Sequence, residues 1–328
     1  MMTLRDSSRR SGSRNCAGEL LVNVEHVPHP VQTHPIVQNL PKPTPFQECE
    51  FWKKSSWASA RVRPCVQKVV QNTQDGEMFV VAVAGARSHR DAGRQIGTAA
   101  RAHIATAFER DKGLPAISAF VNGDGAAIFK AILESHELAY PHLMQELRGL
   151  AEGAGQPFEL VAATNFVQEL SLYVKAPTSC SGAVGCTDFH ACFDRDGLAV
   201  SAWGHTEDGG LWAAGGYIVQ CSIDYGDVPS APAPSAYTAF CYPGCLAGWA
   251  WGFNKHGICQ SINALTSKPL AAGLGASFVS RDVLDAVSLA DAVARASVRA
   301  GGQHFNLACS ASQQPSAHVS VEVTQCSV

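Results

Sequence analysis

The sequence predicts an α+β fold, and three observations carry that prediction. Apolar residues recur at helical spacing through much of the stretch that ends at Tyr173-Val174. Beyond residue 186 the chain breaks into short β-rich runs separated by turns. Helices and strands are thus segregated along the chain, unlike a βαβ repeat. Between the two halves lies TSCSGAVGCTDFHACFDRDGLAVSAWGHTED, residues 178–208, a small-residue loop leading into Gly185-Cys186-Thr187 and two strand-like runs.

Composition bounds the class. The 328 residues are 46% hydrophobic and 16% charged, the profile of a globular protein with a substantial core. A net charge of −3 gives no electrostatic footing for nucleic acid or an anionic membrane, so neither is expected as a partner. No apolar run reaches the ~18 residues of a membrane span. The first twenty residues hold Arg5, Arg9, Arg10 and Arg14 without an apolar stretch, unlike a secretory signal. A cytoplasmic location with reduced thiols is therefore the expectation for the 12 cysteines.

Residues 1–75 read as a disordered or loosely ordered extension, because Pro28, Pro30, Pro35, Pro41, Pro43 and Pro45 interrupt any element of useful length. Residues 76–185 read as mainly helical and 186–328 as mainly strands. The run from Met78 to Ala84 suits a buried strand. Ser88 with Asp91 three residues on resembles a helix cap, and Ile96, Ala100, Ile104 and Phe108 then mark one apolar face. Further helices are predicted over Ala126–Leu138, from Pro141 to Gly153, and from Pro157 through Leu170. Beyond the junction, strands are predicted over Leu198–Trp203, Tyr217–Ile223, Tyr237–Tyr242, Ala247–Phe253, Gly257–Ile262 and His318–Val323. Gly257 is expected to take a positive φ in a hairpin turn. One helix, Ser280–Ala300, interrupts them with Val283, Ala286, Val287, Ala290 and Val293 inward.

Cys186 is the candidate nucleophile. Gly185 leaves the peptide bond before the sulfur uncrowded, as an N-to-S acyl shift across that bond requires. Were the bond to break, the new α-amine, with an ordinary pKa of ~7.7–8.0, could serve as base for the thiol. The competing reading is an inert buried thiol, since cysteine is among the most buried residue types. Asp208 follows a strand in a glycine-closed turn and reads first as a turn former. Asn263 ends a strand, as either a turn former or an amide donor to a developing oxyanion. Cys241, Cys245, His256 and Cys259 loosely resemble a zinc pattern, but alternation of strand side chains argues for buried thiols, and no metal is assigned.

These pieces together carry a resemblance. YPHLMQELRGLAEGA from Tyr140, Gly185-Cys186-Thr187, GHTED at 204–208, WGFNKHG at 251–257 and SINAL at 261–265 resemble, in order and spacing, the acyl-coenzyme A:isopenicillin N acyltransferase group of cysteine Ntn hydrolases. Within it the GHTED and SINAL segments are most similar to the β-alanyl-dopamine hydrolase branch. The resemblance implies a four-layer αββα sandwich that cleaves itself between Gly185 and Cys186. It further implies Cys186 as nucleophile, Asp208 as the aspartate near the new α-amine, and Asn263 as the oxyanion-hole asparagine. The implied reaction is hydrolysis of a small N-acyl amide such as a β-alanyl amine, through a thioester and without a cofactor. Acyl transfer to an amine is one alternative, and an inactive interaction protein another. The implied partners are the substrate and the two self-cleaved fragments of the same chain. Two departures stand out: Val184 replaces an aspartate found in many relatives, and the family's closing segment has no counterpart before Val328. An incomplete, truncated sheet with Val319, Val321 and Val323 on an unprotected edge is therefore expected.

Overall fold

A computed structural model describes residues 21–23, 67–69, 78–171, 173–174, 185–195, 198–207, 215–226, 235–265, 274–298, 302–309 and 318–323. Short strands β1 (Leu21–Asn23) and β2 (Gln67–Val69) come from the first 75 residues. They are followed by β3 (Val80–Ala86) and the helices α1 (His89–Arg110), α2 (Leu114–Val121), α3 (Ala126–Ala139), α4 (Pro141–Ala154), α5 (Phe158–Asn165) and α6 (Val167–Leu170). The second half holds β4 (Cys186–Arg195), β5 (Leu198–Glu207), β6 (Tyr217–Ile223), β7 (Ser235–Cys241), β8 (Trp251–Asn254) and β9 (Ile258–Ala264). Helices α7 (Ala276–Val283) and α8 (Leu289–Ala296) precede β10 (Gln303–Cys309) and β11 (His318–Val323).

Nine strands form one sheet in the order β1-β11-β10-β9-β8-β7-β6-β3-β2, while β4 and β5 pair with each other. The β3–β6 pair is parallel; its neighbours in the sheet are antiparallel. Alternation along each strand sorts the side chains onto two faces. Val81 and Val83 of β3, Tyr217, Val219 and Cys221 of β6, and Tyr237 and Ala239 of β7 join the core built with α1 and α4. Ile258 and Ile262 of β9, Phe305 and Leu307 of β10, and Val319, Val321 and Val323 of β11 pack with Val279 and Val283 of α7. Helices thus cover one face, and the β4–β5 hairpin lies against the other, giving three layers among the described residues.

The helical layer rests on close approach of α1 and α4. A Cβ on Gly93 would stand 1.9 Å from the Glu146 carbonyl oxygen, and one on Gly149 2.0 Å from that of Arg90. Only glycine permits the backbones to meet there. Ser88 caps α1 as predicted, its hydroxyl accepting from the Asp91 amide at 3.1 Å. Gly155, at φ 67°, ends α4 in the left-handed conformation, two residues beyond the expected stop.

Several elements differ from the sequence prediction. The helix expected from Pro157 to Leu170 breaks after Asn165, whose side chain instead binds the β7–β8 loop, donating to Gly244 O and accepting from the Leu246 amide at 2.8 Å each. The helix expected over Ser280–Ala300 also divides. Asn254 donates to the Leu284 and Ala286 carbonyls at 3.0 and 2.7 Å, taking up the acceptors of the ending helix. Ser288 then caps α8. The break turns Val287 and Ala290 to solvent rather than inward. The strand expected from Ala247 starts only at Trp251, because Gly244 and Gly248 hold φ angles of 81° and 99° in the preceding loop. Helix α2 and strand β10 were not anticipated. Finally, β11 is not an edge: β10 flanks it on one side and β1 on the other, and its valines are buried.

Candidate functional site

The face of the sheet turned away from the helices carries polar residues where the hairpin covers it. On β9, Ile258, Gln260 and Ile262 point to the helices, so Cys259, Ser261 and Asn263 point to the hairpin. On β10, His304 and Asn306 alternate in the same way with Phe305 and Leu307. In the hairpin, Cys186 is paired with Glu207, Asp188 with His205, and His190 with Trp203. These six side chains therefore share one face of β4–β5.

Cys186 is the first residue of β4 and half-buried. Its thiol donates to the Ile262 carbonyl at 3.3 Å. The Asn263 amide nitrogen stands 3.2 Å from both the Cys186 sulfur and the Cys186 carbonyl oxygen. Asn306 donates to Asn263 Oδ1 at 3.0 Å and to Asp188 Oδ2 at 2.8 Å. Only the NH2 group of Asn306 can donate to these two acceptors, so its orientation is set, and with it the orientation of Asn263. The chain Asp188–Asn306–Asn263 thus aims an amide N–H at the sulfur.

A second chain runs from Asp188 in the other direction. His205 Nδ1 meets Asp188 Oδ1 at 2.7 Å and its Nε2 meets Glu207 Oε1 at 2.8 Å. Tyr242 donates to the other oxygen of Glu207. Burial alone would lower the His205 pKa, but the hydrogen bonds and charges of Asp188 and Glu207 outweigh it and push the value up to about 9. His205 is therefore an imidazolium at neutral pH, without a free lone pair to act as base. Burial opposes ionisation of Asp188 too, yet the His205 hydrogen bond and charge keep that carboxyl below its usual range. Burial raises the Cys186 pKa, a shift that the Asn263 hydrogen bond only partly offsets. The sulfur of the intact chain is accordingly a protonated thiol that needs a base before it can attack.

Of the sequence candidates, Cys186 and Asn263 come together, with Gly185 directly before the sulfur-bearing residue. Asp208 lies outside the described residues; Glu207 before it is the Cα partner of Cys186. The zinc-like set does not assemble. Cys241 is buried on the helix-facing side, where burial pushes its pKa to about 12, while Cys259 is on the opposite face. Sequence reasoning did not single out Asp188, His205, Glu207 or Asn306. The signal for the first three was present: Cys186 and Asp188, like His205 and Glu207, are two apart and so lie on one strand face.

Comparison with known proteins bears on this geometry. Residues 204–328 match the family described as acyl-coenzyme A:6-aminopenicillanic acid acyl-transferase. His205, Glu207, Asn263 and Asn306 fall within the matched segment, whereas Cys186 and Asp188 precede it. The chain is also 26% identical over 173 residues to a β-alanyl-dopamine/carcinine hydrolase of Drosophila melanogaster. That alignment covers 51% of this chain and 44% of the relative, so the chain matches less than half of the relative's length.

Proposed function

We propose that the protein is an amide hydrolase whose nucleophile, Cys186, becomes N-terminal by self-cleavage after Gly185. The observation that carries this reading is the Asn263 amide nitrogen 3.2 Å from the Cys186 sulfur, held there by Asn306 and Asp188. A carbonyl carbon attacked by that sulfur would develop its negative oxygen beside an oriented N–H donor. The family match and the name of the fly hydrolase support chemistry at an amide or acyl group.

In the cleavage step, sulfur adds to the Gly185 carbonyl carbon and the amide bond to the Cys186 nitrogen breaks, leaving a thioester. The thiol proton passes to the departing nitrogen, which becomes the free Cys186 α-amine, and water then hydrolyses the thioester to release the Gly185 carboxylate and the thiol. That amine takes the thiol proton in each later turnover, the role that His205, already protonated, cannot fill. The substrate's acyl carbon bonds to sulfur, its nitrogen leaves with the proton, and water releases the acid. Asp208 is assigned to stabilise the α-ammonium, and His205, between two carboxylates, to hold them in place. β-Alanyl amines are the leading substrate class, after the fly hydrolase. Transfer of the acyl group to an amine instead of water is the second reading, favoured by the family's description.

Intact mass tests the first half: two fragments divided between Gly185 and Cys186 are expected. Incubation with N-β-alanyl-dopamine tests the second, with the β-alanyl group expected as an adduct on Cys186 and free dopamine released. An uncut chain that forms no adduct would sink the proposal.

A further inference from the structure

On the helical side of the sheet, away from Cys186, three potential metal ligands converge from three elements. His89 opens α1, His142 lies in the first turn of α4, and Asp285 follows α7. One donor atom from each lies within 4.8 Å of the others. The two imidazole rings meet edge to face with centroids 4.9 Å apart.

The surroundings resemble the outer shell of a metal site. Glu146, itself buried, meets His89 Nδ1 at 2.7 Å. That contact places the ring proton on Nδ1 and leaves the lone pair on Nε2, as carboxylates do behind metal-bound histidines. The Tyr225 hydroxyl sits 2.7 Å from Nε2, marking the direction in which that lone pair points. Asp285 is steadied by Arg281 at 3.0 Å and by the Ser235 hydroxyl, and each carboxylate oxygen retains a further lone pair. His142 makes ring contacts with His89 and Tyr140, and neither of its nitrogens hydrogen-bonds to another described residue. It is the uncommitted donor of the set.

We propose that His89, His142 and Asp285 form a second site that binds a single borderline divalent cation, Zn2+ or Co2+. Binding draws the three donors inward and displaces the Tyr225 hydroxyl from His89, leaving the fourth position to that hydroxyl or to water. Charge does not drive the binding. Arg281 and the positive N-terminal ends of α1 and α4 offset the carboxylates of Glu146 and Asp285. Affinity therefore rests on the two nitrogens, which select Zn2+ and Co2+ over Mg2+ and Ca2+, cations that require a shell of oxygens.

Cobalt titration of the whole purified chain tests this, because the spectrum reports the donor atoms. The expected result is one equivalent of Co2+ with tetrahedral d–d absorption and no thiolate-to-cobalt charge-transfer band. His142→Ala should weaken binding by about tenfold or more. His142→Gln, which keeps a polar side chain at this half-exposed position, should do the same with unchanged circular dichroism. Zn2+ should raise the thermal midpoint of the parent protein while Mg2+ and Ca2+ leave it unmoved. The site is refuted by a charge-transfer band showing the thiols as ligands, by undiminished cobalt affinity in the folded His142→Gln protein, or by no binding at all. None of these outcomes depends on Cys186, and Cys186→Ala should bind cobalt as the parent does.

Discussion

The Asn263 amide nitrogen and the Cys186 sulfur, 77 positions apart in sequence, stand 3.2 Å apart in the fold. They belong to different sheets, Cys186 to the hairpin and Asn263 to the nine-stranded sheet. Their meeting ties the hairpin to the sheet and sets the proposed nucleophile beside an amide donor.

Replacing the sulfur separates the chemistry from the scaffold. Cys186→Ala is expected to abolish both the break after Gly185 and release of dopamine from N-β-alanyl-dopamine, because alanine offers no nucleophile. Cys186→Ser is expected to cleave slowly through its hydroxyl. Mass spectrometry and a time course of amine release check both, and full turnover by the alanine protein would assign the reaction to another residue.

Removing the donor should cost rate rather than fold. Asn263→Ala is expected to raise the barrier by ~3–4 kcal/mol, about 10²–10³ in kcat. Asn306→Leu leaves Asn263 in place but unaimed, so a smaller fall in kcat is expected, with KM nearly unchanged. Steady-state kinetics of the two proteins give the comparison; equal, negligible losses would deny Asn263 a part in the reaction.

The imidazolium of His205 makes stability depend on pH in a definite direction. Its pKa is raised in the folded protein, from an ordinary value near ~6.5 to about 9. The contribution is therefore complete below pH ~6.5 and is lost as pH rises toward 9, at no more than about 1.4 kcal/mol per pH unit. Chemical denaturation across that window should show the decline, and His205→Asn should flatten it. A slope unaltered by that substitution would place the dependence elsewhere.

Glu146 and Arg281 form a buried pair at 3.0 Å between α4 and α7, with the guanidinium 4.2 Å above the Tyr237 ring. Removing Glu146 takes one of two carboxylates from the buried guanidinium, leaving Asp285 at 3.0 Å to balance its charge. Glu146→Ala is expected to destabilise by ~3–5 kcal/mol, while Glu146→Leu with Arg281→Met should recover much of that loss. Burial opposes the ionised Glu146, but Arg281 and His89 keep its pKa down at about 2. Its contribution is thus present above the ordinary carboxylate pKa of ~4.3 and lost as pH falls toward 2. Thermal melts of the single and double variants test the pair, and additive losses would argue against it.

The split into a helical half and a strand half was legible because each half keeps one hydrophobic period over long stretches. Ser88 and Gly257 were legible because a cap and a positive-φ turn each depend on a few adjacent residues. The helix breaks after Asn165 and Val283 were not, since the amide groups that take the freed backbone partners come from, or reach to, distant loops. Strand β10 alternates Phe305 and Leu307 with His304 and Asn306, a pattern too short to stand out beside Gly301-Gly302. The part of the site around Cys186 depended on knowing that Asp188 pairs with His205, and register of that kind is settled by the turn and by packing.

The pairing of β3 with β6 changes what a cut at Gly185 would mean. Strand β3 precedes the proposed break and β6 follows it, and the two lie side by side with residues 80–83 matched to 218–221. The core above them likewise mixes α1 and α4 with Tyr217, Tyr237 and Phe278. Severing the backbone there would remove one covalent tie but none of this interlock. The two pieces would migrate together through a sizing column and part only in denaturant. Neither piece would retain its fold alone, because each would expose half of a shared interior.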